Sequence, residues 1–500
     1  MSIIGIDIGT STIKVVAFQE NGKILLAVRI PVKAFHPSPG WEEMDPHETW
    51  RAVLSGLCKV ANSDDLRNDP PKALAVSASG DEVFLADQSG DPLTACVLSG
   101  DIRGENIEAA TLQIDTLDRW YTACGHVPER MDPVNRLTMW RLNQPELFRQ
   151  SRHYLGWHEF ITLRLCDKAV TDPSLASKWL TFDLSRRNWN PDRCSRFDLD
   201  VTCMPQIQDW KQPIAEIRSD IAAITGLPKS MLVCVGAFDS TSAAIGSGVT
   251  DTSTAGLACG SWQVLVVPTA DLSYTKCLLE SGFPVTPYPG LNSHAVLAQS
   301  PNGTAVLDWL SRLVNMSTSE IEVSLSNMEL GPGMVLSIPH FSGAISPWKE
   351  GRDSRGAFLG VTLATSRHDI LKSLMESEAF DLNLTLGQLE KAGFEIRNLR
   401  VSGGGSRSAW WMQLLADLSG VPIEVVAQEE PGAFGAALLA GTSMGIYSSV
   451  DEAAKSLVRV RRVFEPNSKR KQLYADRLEM YQEAVVTFLK LHRKLSNGTR

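Results

Sequence analysis

Apolar residues in this chain gather in short runs that end at polar turns, and the spacing of those runs predicts the elements. Ile3 to Ile8 is a nearly continuous apolar run broken by Asp7, which predicts a buried strand closing at Gly9 and the hydroxyls of Thr10, Ser11 and Thr12. Val15 to Phe18 forms a second strand directly after it, and Asn21-Gly22 turns the chain into a third. Asp45-Pro46 opens a helix that runs to about Asn62, and Pro70-Pro71 then breaks the chain. Ala73 to Ser77 is another buried strand, followed by the polar turn Ser79-Gly80-Asp81-Glu82 and a further strand over Val83 to Ala86. Ile102 to Arg152 is mostly helical, and the prolines between residues 190 and 230 mark loops and short helices. Within Met231 to Gly248 a strongly apolar strand ends in a turn bearing Asp239, and a helix rich in Ser and Ala follows.

The second half repeats the opening theme. Residues 254 to 268 are strand, Gly260-Ser261 turn and strand, a weak internal echo of the first hairpin. Helices are predicted over Thr304 to Val314, Ser317 to Met328 and His368 to Ala392. Leu399 to Val426 is strand, triple glycine, helix and strand, and the small-residue segment from Glu429 to Tyr447 is a helix lying closely against something flat. The last helix, about Ser468 to Leu495, is basic, with Leu473, Met480, Val485 and Leu489 as its docked face.

Five hundred residues exceed what one core serves, so two domains are expected, residues 1–247 and 248–500. A composition 43% hydrophobic and 21% charged supports ample cores. The net charge of −9 excludes general nucleic-acid affinity, which needs a basic footprint. No apolar run approaches the ~20 residues of a membrane span, and no basic segment with an apolar stretch opens the chain, so secretion and membrane insertion are not expected. Nine cysteines scattered without a C-x-x-C pair fit reduced thiols and a cytoplasmic setting.

Three places carry candidate chemistry. The turn after Asp7 offers glycine, backbone N–H groups and hydroxyls, which suit phosphate oxygens, with Asp7 placed to help hold a hydrated Mg²⁺. An ordinary hairpin with a polar tip explains the same residues. Asp81 and Glu82 stand at the end of a buried strand, where α/β proteins bind ligands, although turn residues in water look alike. Asp239 occupies a similar strand-to-helix turn and is equally a helix cap.

Taken together these segments resemble the FGGY carbohydrate kinases over nearly the full chain. IIGIDIGTSTIK is similar to the family's first phosphate motif, with Lys14 at its basic position, and Cys259-Gly260-Ser261 with the following strand is similar to the second. GAFLGVTLATSRHDILKSLMESEAF resembles the C-terminal signature, VSGGGSRSAWWMQLLADLSGVPIEVV the adenine-binding segment, and VTDPSLASKWLTFD a stretch of the xylulose and gluconate branches. The resemblance implies two α/β domains of the ribonuclease-H-like, actin and sugar kinase type around a central cleft. The N-terminal one would bind sugar and the C-terminal one nucleotide.

It further implies an ATP- and Mg²⁺-dependent kinase acting on a hydroxyl of a small ketose or polyol, xylulose-like in the first instance. Asp239 would be the general base, and Asp7 and Asp239 the magnesium carboxylates. Gly9, Thr10, Ser11, Thr12, Lys14, Gly260, Ser261, Gly404, Gly405 and Ser406 would bind ATP. Gly80, Asp81, Glu82, Asp101 and Asp239 would bind the sugar. Partners beyond sugar and ATP are not implied, and a homodimer is compatible with the resemblance.

Departures fall mainly at the sugar. Gly80 removes a large side chain, Leu98 or Ser99 replaces a tryptophan, Phe238 stands beside the base, and the second phosphate turn lacks a threonine before Ser261. Adjacent acids at 81 and 82 suit vicinal hydroxyls and repel a carboxylate-bearing acceptor such as gluconate. Kinases for gluconate, glycerol, a tetritol or ribulose are the alternatives, with a non-catalytic, actin-like nucleotide switch as the reading from another class.

Overall fold

Strands β1 (Ser2–Ile8), β2 (Thr12–Gln19), β3 (Ile24–Pro31), β4 (Pro71–Ala78), β5 (Pro213–Glu216) and β6 (Leu232–Phe238) build the central sheet of the first of two units, in the order β5-β6-β4-β1-β2-β3. In this computed structural model residues 1–498 are described, apart from positions 271, 273, 274, 291, 292 and 353. The first unit comprises Met1–Thr250, Pro284–Ala295 and Glu430–Val458; the second comprises Asp251–Phe283, Val296–Glu429 and Arg459–Arg500. The expected α/β class with two sheet-rich domains is what the chain adopts.

In the first unit β1 pairs antiparallel with β2 and parallel with β4, so Asp7 lies opposite Ser77. β6 runs parallel to β4, with Phe238 opposite Ala78. Three strands therefore end side by side, and the polar turns that follow β1, β4 and β6 open along one edge, where parallel sheets bind ligands. Helix α1 (Pro46–Ala61) begins where Asp45 caps the backbone N–H of His47 at 2.8 Å, and it buries Val53, Leu57 and Val60. α2 (Trp157–Cys166) is nearly all buried, and α3 (Asp239–Gly246) starts directly from β6.

The second unit repeats the opening pattern. β7 (Thr254–Cys259) pairs antiparallel with β8 (Gln263–Thr269) and parallel with β10 (Asn398–Ser402), as β1 does with β2 and β4. With β9 (His294–Ser300), β11 (Ile423–Val426) and β12 (Val460–Phe464), its strand order is β9-β8-β7-β10-β11-β12. α4 (Arg367–Lys391) is 25 residues long and starts in a capping box, Ser366 donating its backbone N–H and hydroxyl to Asp369. α5 (Ala409–Ser419) follows the triple glycine. On the terminal helix, Ala475–Gly498, Tyr481 and Val485 dock, while Met480 and the preceding Leu473 are exposed. Val485 thus docks as expected, while Tyr474 and Tyr481 take the places expected of Leu473 and Met480, because their hydroxyls find acids: Tyr481 donates to Asp381 at 2.7 Å and Tyr474 to Glu376 at 3.3 Å.

The last helix of the site, α6 (Pro431–Ser443), belongs to the first unit. It is apolar on all sides, as a fully enclosed helix must be, and its small residues permit contact with backbone. A Cβ at Gly5 would collide with the Ala433 carbonyl, and one at Gly435 with the Ser242 carbonyl. This is the flat surface against which a small-residue helix was expected.

Candidate functional site

Asp7 sits at the end of β1, partly buried, with every oxygen engaged. Ser77 donates its hydroxyl to Oδ1 at 3.0 Å, and Lys14 Nζ lies 3.0 Å from Oδ2. Lys14 also reaches Glu430 at 3.3 Å. Burial works against its charge, yet these two carboxylates outweigh that cost and raise the lysine above its ordinary value. A Cβ at Gly432 would stand 2.9 Å from Asp7 Oδ1, so only glycine lets the first turn of α6 approach so closely. Beyond Asp7 the chain turns tightly, Gly9 N–H donating to the Thr12 carbonyl at 3.2 Å, which leaves Thr10 and Ser11 exposed.

Asp239 opens α3, and its Oδ1 accepts the backbone N–H of Ser240 at 2.5 Å and that residue's hydroxyl at 3.0 Å. Desolvation, then the charge of Asp7, push its carboxyl up to about 6; the Ser240 bonds and the Lys178 ammonium pull the other way. A carboxylate desolvated beside the charge of Asp7 in this way makes a place that a divalent cation relieves. Hard oxygen donors in that number fit Mg²⁺, which takes one or two carboxylates and keeps several waters. Among the described residues no group of three or more His, Cys, Asp or Glu side chains is arranged to hold a metal.

The strand carrying Asp239 is held from behind by residues to which sequence reasoning assigned no role. β6 is irregular between Cys234 and Ala237. There the Gly236 N–H donates to His158 Nε2 at 3.1 Å, while His158 Nδ1 donates to the Val170 carbonyl at 2.9 Å. A ring used in both directions is neutral, and burial lowers His158 to about 4. One step on, the Phe238 N–H donates to Ser174 Oγ at 3.0 Å, and Ser174 donates to Asp172. Asp172 in turn accepts the N–H groups of Ser174 and Leu175, and burial lifts it to about 7. The TDPS segment was the available signal, since an Asp before Pro caps a short helix.

At the end of β4, Asp81 and Glu82 diverge. Arg136, fully buried, donates to the backbone carbonyls of Asp81, Val97 and Leu98 and so clamps the turn. Glu82 accepts the Ser99 hydroxyl at 3.0 Å, and desolvation together with Asp81 raises it to about 7. The Asp81 carboxylate accepts no hydrogen bond from the described residues; it faces Lys178 at 3.8 Å. Asp101 is fully buried, its two oxygens taken by the Glu42 N–H at 2.8 Å and by Arg103, which also pairs with Glu43 at 2.6 Å and lies over the Trp41 ring at 4.1 Å.

In the second unit the matching strand ends carry the other turns. Gly260 N–H donates to the Trp262 carbonyl at 3.1 Å, leaving Ser261 exposed. At the end of β10, Gly403 has φ +90°, and a Cβ there would lie 2.6 Å from the Cys259 carbonyl oxygen, a conformation and a space only glycine meets. Nothing lies within 4 Å of a Cβ position at Gly404, and one at Gly405 would strike Trp411. Ser406 is half-buried, and its hydroxyl donates to the Gly403 carbonyl at 2.7 Å within the turn. The turn thus presents bare backbone to the solvent side, as contact with a flat ring requires.

The model of the FGGY family of carbohydrate kinases, N-terminal domain, matches residues 2–246, and that of the C-terminal domain matches residues 257–444. The chain is 25% identical to L-xylulose/3-keto-L-gulonate kinase of Escherichia coli (strain K12), over 99% of each chain. It superposes on ligand-bound xylulose kinase from Lactobacillus acidophilus with a TM-score of 0.89 at 20% identity, covering 99% of both chains. Gluconate kinase from the same organism gives 0.88 at 21% identity, again over 99% of both.

Proposed function

Because the chain belongs to the FGGY family of carbohydrate kinases, we propose that it transfers the γ-phosphate of ATP, with Mg²⁺, to a hydroxyl of a small neutral ketose or polyol of the xylulose type. The observation that carries this reading is the row of strand ends in the first unit. β1, β4 and β6 deliver Asp7, Asp81 and Asp239 to one edge of one sheet. An alcohol is too weak an acid to attack phosphorus unaided, and Asp239 is the carboxylate that takes its proton. Its raised value keeps it a stronger base than an ordinary aspartate while leaving it ionised at neutral pH.

Mg²⁺ bound by Asp7 and Asp239 would supply charge neutralisation at the phosphate oxygens. Lys14 and the exposed hydroxyls of Thr10 and Ser11 add donors for the same oxygens. In the second unit Gly260 and Ser261 offer a second phosphate turn, and Gly404 and Gly405 a bare backbone for the adenine. Asp101 acts indirectly, fixing Arg103 and the Trp41–Glu43 loop. The acids at 7, 81, 82 and 239 favour an uncharged acceptor over an aldonate. Nine unpaired cysteines suit a reducing, cytoplasmic setting. The test is ATP consumption across xylulose, ribulose, xylitol, glycerol and gluconate. Turnover stimulated most by a neutral ketose or polyol is expected; if only gluconate stimulates it, or nothing does, the reading fails.

A further inference from the structure

Lys178 follows the short helix Pro173–Ala176, in the same segment whose Ser174 holds the backbone of Phe238. Its side chain is only 12% exposed, an unusual degree of burial for a lysine. The aliphatic stem occupies space that a side chain at residue 80 would otherwise take. A Cβ at Gly80 would lie 2.7 Å from Lys178 Cγ and 3.3 Å from Leu175 Cδ2. Gly80 is not among the glycines with positive φ, so its missing side chain is a matter of room rather than of backbone conformation.

The ammonium group ends over the Phe238 ring, 4.5 Å from its centroid, and 3.8 Å from Asp81 Oδ1. The first contact steadies a cation against an aromatic face. The second is too long for a hydrogen bond. Among the described residues no acceptor lies within hydrogen-bond distance of the Lys178 ammonium, and no donor within that distance of the Asp81 carboxylate oxygens. A strong donor and a strong acceptor therefore face each other slightly apart, both with uncommitted valences, beside the residue that precedes Asp239.

We propose that Lys178 determines acceptor specificity, its ammonium and the Asp81 carboxylate bracketing a single hydroxyl that accepts from the first and donates to the second. This rests on the acceptor site proposed above and names what that site selects. A hydroxyl satisfies both partners at once. A carboxylate in the same place would satisfy Lys178 but could give Asp81 no hydrogen, and it would add a like charge beside it. Gly80 is the small residue that makes the arrangement possible, so the large side chain absent from position 80 is replaced in space by the stem of Lys178.

The test is steady-state kinetics of the full chain on the best neutral acceptor of the panel and on gluconate. Lys178→Met keeps the stem and removes the charge. It should raise KM for the neutral acceptor about tenfold, the loss of one charge-assisted hydrogen bond, with KM for ATP and the melting temperature unchanged. Asp81→Asn combined with Lys178→Met should cost no more than the worse single variant, since both act on one hydroxyl. Gly80→Leu, which displaces the stem, should reproduce the Lys178→Met effect. An unchanged acceptor KM in Lys178→Met, an equal rise for ATP, or additive losses in the double variant would overturn the assignment. Absence of turnover on every neutral acceptor by the unaltered protein would instead overturn the acceptor reading itself.

Discussion

At the scale of single residues, the proposed chemistry depends on how Asp239 is ionised. Its surroundings include Asp7, Glu82 and Lys178 as charged neighbours and Ser240 as donor, and burial sets the direction, upward to about 6. A base must be unprotonated to accept the hydroxyl proton. With a raised value, activity is full above about 6 and falls as pH drops through it, whereas an ordinary aspartate would hold its charge down to about 4. The profile of kcat/KM for the Mg²⁺–ATP complex, which reports the enzyme before the metal binds, should therefore show an acid limb near pH 6. Asp239→Asn should lower kcat by about 10²–10⁴-fold and remove that limb from the residual rate. An asparagine variant with unaltered kcat would leave Asp239 a structural residue only, holding the Ser240 N–H and hydroxyl at the start of α3.

At the scale of elements, the position of Asp239 depends on the contact of α3 with α6. That contact is built on missing side chains: a Cβ at Gly246 would strike the Pro431 carbonyl, and one at Gly435 the Ser242 carbonyl. Gly435→Ala must part the two helices, and helix propensity alone would have favoured the alanine by about 1 kcal/mol. Overpacking of this kind costs about 1–3 kcal/mol or more, so the urea midpoint should fall despite the better helix former. A midpoint that rises would show that the helices can slide apart freely. The small-residue run from Gly432 to Gly441 made this close packing legible in the sequence. What it lay against was not legible, because glycine signals proximity without naming the neighbour. The same limit applies at the site. Asp7, Asp81 and Asp239 stand out at the ends of apolar runs, since periodicity marks strand ends directly. His158, Ser174 and Lys178 do not, because their roles come from pairings across 64 to 97 residues of chain that no local pattern encodes.

At the scale of the whole molecule, each unit has buried apolar residues and hydrogen bonding of ordinary kinds, with all nine cysteines unpaired. The echo between β1-β2-β4 and β7-β8-β10 was visible as a recurring strand, Gly-rich turn and strand. The return of Glu430–Val458 to the first unit was not, since chain order says nothing about which core a late helix joins. Metal dependence separates fold from chemistry at this scale. A structural ion needs several side-chain ligands held together, and binding would then contribute directly to folding free energy. Asp7 and Asp239 offer two carboxylates, with Lys14 already neutralising one of them. The Mg²⁺ site proposed on them would bind weakly without nucleotide phosphates to complete it. Chelation by EDTA should therefore abolish sugar-stimulated ATP turnover, with full recovery on adding excess Mg²⁺. The melting temperature of the nucleotide-free protein should stay within about 1 °C of its untreated value, since a ligand present near or below its Kd shifts stability by under about 0.5 kcal/mol. A fall of many degrees on chelation would mean that an ion holds the fold, and the two carboxylates would then need further ligands than the ones proposed.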